Sequence, residues 1–153
     1  MTGLTAEQTA DGVGQQLWVT EALVEVVGAW DRPAADDDGA ALRVWAARAR
    51  RLFDQHLEAW RTQLPESVLL EPDGRVQPTD DHRVAVDAAR DAVDPAERAR
   101  ATATALDAVH SSLTGLAGRA GPVSDGSLLR VSDTVARDLL GLRRALPLID
   151  PAV

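Results

Sequence analysis

The sequence predicts an all-α, single-domain bundle, and three observations carry that prediction. Apolar residues recur at intervals of three and four along four long stretches. Proline stands at or just beyond the end of each stretch, and Asp or Ser stands where the later ones begin. The length, 153 residues, is that of one domain with a real core.

The first helix is predicted over Gln15 to Trp30, with residues 1–14 expected to be frayed. Leu17, Val24 and Val27 lie on one face, and Val19, Leu23, Val26 and Trp30 on another. A helix apolar nearly all round is one buried among others. Asp31-Arg-Pro33 ends it. Asp36, Asp37 and Asp38 then supply an N-cap for a second helix, about Gly39 to Leu64. Its apolar stripe is Leu42, Trp45, Ala46, Ala49, Phe53, His56, Leu57, Trp60 and Leu64.

Residues 66–81 differ in kind. Val68-Leu-Leu, Glu71-Pro-Asp-Gly74 and Arg75-Val76-Gln-Pro78 read as two short extended pieces around a turn, either a strand pair or a plain crossover. A short helix follows from His82 to Val93. Asp94 caps the third long helix, about 95–118, with Pro95 in its first turn. That helix is expected to bury Ala99, Ala103, Leu106, His110, Leu113 and Ala117. Gly118 to Pro122 break it. Ser124 is the expected cap of the fourth, about 125–146, which buries Leu128, Val131, Val135, Leu139, Leu142 and Leu146.

Composition excludes much chemistry. There is no Cys and no Lys, so disulfides, thiolate metal sites, Schiff bases and P-loop lysines are absent. The net charge is −8, which argues against a nucleic-acid partner. Residues 1–42 hold eight acids against Arg32 alone, while the rest holds 16 acids against 15 arginines. One end is therefore an acidic pole. No run of about 18 apolar residues suits a membrane, and the acidic N-terminus does not read as a signal peptide. A cytoplasmic location is the expectation.

Two hairpins of long helices joined by one long connection form the ferritin-like arrangement. His56-Leu-Glu-Ala-Trp60-Arg-Thr-Gln-Leu64-Pro65 resembles the end of the second helix in ferritin-like proteins of high-G+C bacteria. Gly121-Pro-Val-Ser-Asp125 resembles the same group's turn into the fourth helix, and Val26-Val-Gly-Ala-Trp30 fits the end of the first. The resemblance implies a bundle whose ancestral site held two metal ions on four carboxylates and two histidines, the latter in Glu-x-x-His pairs.

Here that pattern is degraded. Phe53 stands three residues before His56, where a carboxylate is needed. Asp107-Ala-Val-His110 is a shortened pair on the third long helix. Asp133 and Asp138 have Ala136 and Gly141 where histidines would follow, and Asp133 with Arg137 reads as a surface ion pair. Glu21 and Glu25 share one face of the first helix, so they either find partners or face water. His82, beside Asp80 and Asp81, reads as exposed capping material. Trp18, Trp30, Trp45 and Trp60 all fall on the first hairpin, as core or as a stacking wall for a flat ligand.

These residues support three expectations. The first is a bundle without a complete di-iron site that binds a small molecule or a protein partner, using Trp18, Glu21, Glu25, Phe53, His56, Trp60 and His110, with no cofactor. The second is an enzyme on a small molecule in the core. It would be either an oxidase with iron or another divalent metal at a partial Glu25, His56, His110 site, or a metal-free acid–base catalyst using Glu25, His56, Asp107 and His110. The third is a structural module, such as a homodimer. Ferritin-like packing would bring Glu25, His56 and His110 together inside the bundle.

Overall fold

The structure is a computed structural model and describes residues 3–30, 37–64 and 76–149. Among these residues it contains five α-helices and no strand: α1 (Ala6–Gly28), α2 (Asp37–Arg61), α3 (Asp80–Asp91), α4 (Pro95–Arg119) and α5 (Gly126–Ala145). The third and fourth long helices of the sequence are thus α4 and α5. The suggested strand pair falls mostly on residues 65–75, outside the described residues, as does Asp36.

The N-terminus departs most from expectation. Helix α1 begins nine residues before Gln15, because Thr5 and Gln8 form a capping box. The Thr5 hydroxyl accepts from the Gln8 N–H at 3.1 Å, and the Gln8 side-chain carbonyl oxygen accepts from the Thr5 N–H at 2.8 Å. Residues 6–14 are therefore regular helix, with Ala10 and Val13 in the core. Gly12 weakens helix propensity, yet it lets α1 approach α4 closely. A Cβ there would lie 2.6 Å from Leu116 Cδ1.

Four pairings run antiparallel. Helices α1 and α2 meet at Glu21 and Arg61 near one end, and at Gly28 and Arg50 toward the other. Helices α1 and α4 meet at Gly12 and Leu116, at Gln16 and Ser112, and at Trp30, whose ring lies under the Arg98 guanidinium at 5.8 Å. Helices α2 and α5 meet through the Trp45 indole N–H, which donates to the Leu142 carbonyl at 2.9 Å, and through His56 and Asp138. Helices α4 and α5 form the second hairpin, crossed by Arg143 and Asp107. Helices α2 and α4 also touch across the centre, and α3 packs on both α1 and α4. The core is the shared interior, built on Leu17, Leu23, Leu42, Phe53, Trp60, Leu106, Leu113 and Leu142.

Two stripes hold in part: Ala99, Leu106 and Leu113 on α4 and Leu128, Val135, Leu139, Leu142 and Leu146 near α5 are buried as expected. Helix α4 buries Thr102, Ala105 and Val109, leaving Ala103, His110 and Ala117 half-buried at the edge. Helix α5 buries Ser132 in place of the expected Val131. Asp94 caps α4 as predicted, accepting from the Glu97 N–H at 2.9 Å, with Pro95 in the first turn. Ser124 does not cap α5. Asp125 occupies the cap position, and its carboxylate instead accepts from the N–H groups of Gly121 at 2.7 Å and Leu4 at 3.0 Å. That tie fastens the start of the chain to the α4–α5 turn. The backbone donors hold the Asp125 pKa below its ordinary value.

Candidate functional site

The predicted polar cluster is not assembled. Glu25 is exposed on α1, and Glu21, also exposed, lies 3.4 Å from the Arg61 guanidinium. Asp107 is exposed and lies 3.2 Å from Arg143, while His110 is half-buried at the rim of α4. His56 is buried, but it turns to α5 rather than α1. Its Nε2 lies 2.8 Å from Asp138 Oδ2. Glu25, His56 and His110 therefore do not share a site, because α1 presents its apolar residues inward and α4 buries Val109 rather than its neighbour His110. Trp60 and Phe53 are core residues and Trp18 is half-buried. Among the described residues no group of three or more His, Asp or Glu is placed to hold a metal ion. Asp133 and Arg137 form the expected surface pair at 2.8 Å.

The His56–Asp138 pair links α2 to α5. Burial lowers the His56 pKa below its ordinary value, outweighing the hydrogen bond and charge of Asp138, which raise it. The ring is accordingly neutral at pH 7, and its Nε2–H donates to the carboxylate. The Phe53 ring meets the imidazole edge-on, with centroids 6.2 Å apart. Asp138 is 30 % exposed, so the pair's charge is already hydrated. The arrangement is that of an anchored core histidine.

His82 behaves oppositely to its sequence reading. It is 1 % exposed, not solvated, and neither ring nitrogen has a hydrogen-bond partner among the described residues. Thr79 caps α3 in its place, the hydroxyl accepting from the His82 backbone N–H at 3.0 Å. The signal is present in the sequence: His82, Ala85, Val86 and Ala89 form the buried stripe of α3 at helical spacing. The acidic pair in front of His82 masks it.

His82 lines a groove of about 600 Å³ between α3 and α4. Small residues create the space: Val84, Ala85 and Ala88 on α3 stand against Thr104, Ala108 and Ser112 on α4. Asp80 and Asp81 stand at the α3 N-terminal end. Behind it, the Gln16 side-chain NH₂ donates to the Ser112 hydroxyl at 3.1 Å, while the Gln16 side-chain carbonyl oxygen is buried without a partner. Desolvation lowers the His82 pKa below its ordinary value, against the opposing pull of Asp81. A neutral imidazole has one N–H and one lone-pair nitrogen, both unused here. Buried polar atoms are rarely left so, because each unmade bond costs about 1–3 kcal/mol. The volume is within the range of small-molecule sites.

Compared with known protein families, curated proteins and solved structures, the chain gives no match to any of them. No helix among the described residues is long and apolar enough to cross a membrane.

Proposed function

We propose that the chain is a ferritin-like bundle that binds a small molecule in the α3–α4 groove. Antiparallel neighbours around a shared core, with two hairpins separated by a long connection, support the ferritin-like reading. The binding reading rests on His82: a buried imidazole with both nitrogens unpaired, at the wall of a groove of ligand size. A ligand group that hydrogen-bonds to the ring would reduce the cost of leaving it unsatisfied. The residues of α1 and α2 that the sequence offers for a ligand serve the core or the surface instead.

A neutral fluorescent probe tests this. N-phenyl-1-naphthylamine should brighten saturably in the presence of the protein. Ala108→Trp, which fills the groove with an indole, should abolish the signal while leaving helical circular dichroism unchanged. Saturable binding that Ala108→Trp does not disturb, or no binding at all, would contradict the assignment.

A further inference from the structure

We infer that the groove selects small molecules bearing a protonated amine on an apolar body, with Asp81 and the His82 ring receiving the ammonium and the α3–α4 wall receiving the body. This rests on the groove being the binding site. Among the described residues the charge of its lining is one-signed: Asp80 and Asp81 line it, and no arginine does. Asp80 is engaged by the Arg83 guanidinium at 2.7 Å. Asp81 is exposed and makes no ion pair or hydrogen bond among the described residues. It is close enough to His82 to act on the ring's titration. An unpaired carboxylate therefore stands beside an unpaired imidazole.

The donors and acceptors match one ligand chemistry. An ammonium group has three N–H donors and no acceptor. Asp81 offers carboxylate oxygens, and the neutral His82 ring offers a lone-pair nitrogen. Ser112, whose oxygen already accepts from Gln16, keeps a second lone pair for a third N–H. A carboxylate or phosphate ligand would find repulsion from Asp81 and no cation among the described lining residues. The α3 N-terminus would favour an anion by its dipole, but Thr79 takes the His82 N–H, and two first-turn carboxylates reverse the local sign. Val84, Ala85 and Ala108 supply apolar surface for the ligand's body.

Three probes of one shape separate the possibilities: 1-naphthylmethylamine, 1-naphthylmethanol and 1-naphthoate, titrated calorimetrically at pH 7.5 and low salt. The amine should bind roughly two- to fivefold tighter than the alcohol, the scale of one exposed ion pair, and the naphthoate weakest. Asp81→Asn, at an exposed position, should erase the preference for amine over alcohol. Alcohol binding that Ala108→Trp abolishes, combined with an amine no tighter or a naphthoate tighter, overturns the amine inference and leaves the groove site standing. Failure of all three probes to bind overturns both. Amine preference that survives Asp81→Asn overturns the assignment of the charge to Asp81.

Discussion

Two buried histidines in this chain have opposite circumstances, and substitution should separate them. His56 holds Asp138 across the α2–α5 interface, so His56→Ala removes a buried ring and its hydrogen bond. The expected loss is about 1–3 kcal/mol in urea unfolding. His82 has no bond to lose. His82→Leu keeps the volume roughly and removes two orphaned nitrogens, so stability should hold or rise by about 1 kcal/mol while probe binding falls. A large destabilisation by His82→Leu would mean that the ring is satisfied by something other than a ligand. Both rings have pKa values lowered below the unfolded-chain value of 6.5. Between the lowered value and 6.5 the unfolded chain binds protons that the native chain refuses. Their contribution is therefore complete above pH 6.5 and is lost as pH falls below it. The melting temperature should drop on acidification from pH 7 to pH 5, and less steeply in His82→Leu. The sequence announces His56 through its place in an apolar stripe between Phe53 and Trp60. It announces His82 equally, but the two aspartates before it favour a solvent-facing reading over the stripe at 82, 85, 86 and 89.

At the level of the helices, glycines distinguish packing from propensity. Gly115 lies in α4, and a methyl placed there would have nothing within 4 Å, so Gly115→Ala should stabilise by up to about 1 kcal/mol. Gly12 lies in α1 with the same propensity penalty, but a methyl would press on Leu116, which is itself in the core. Gly12→Ala should therefore destabilise by about 1 kcal/mol net, since overpacking exceeds the propensity gained. Thermal melts of the two variants should move in opposite directions. The same residue explains why α1 looks short in the sequence alone. Gly12 and Gly14 resemble the end of order when only propensity is weighed, whereas the Thr5–Gln8 capping box and the apolar Ala10 and Val13 mark the true beginning. The Asp94–Pro95 start of α4 is legible because cap and first-turn proline agree. The α5 start is legible to within one residue but its cap is not, because Asp125 commits its carboxylate to Leu4, 121 residues away, a partner no local pattern reveals.

On the scale of the molecule, the long periodic stretches suffice for an all-helical bundle of two hairpins. Apolar residues spaced by three and four over about twenty positions trace one helix face and cannot trace a strand, whose faces alternate. The site is not legible in the same way. Placing Glu25, His56 and His110 together requires knowing the rotation of three helices, and on α4 it is Val109 that is buried while its neighbour His110 lies at the rim. The groove depends on small side chains of α3 and α4 facing each other, a property of packing rather than of any motif. Its acceptance of a ligand is most directly read at the His82 ring itself. Nitrogen-15 spectra of the imidazoles during titration with 1-naphthylmethanol should show both His82 ring resonances shifting saturably, with His56 unmoved. Binding of the alcohol without any change at His82, or no binding while His82 remains unpaired and buried, would contradict the groove as the functional site.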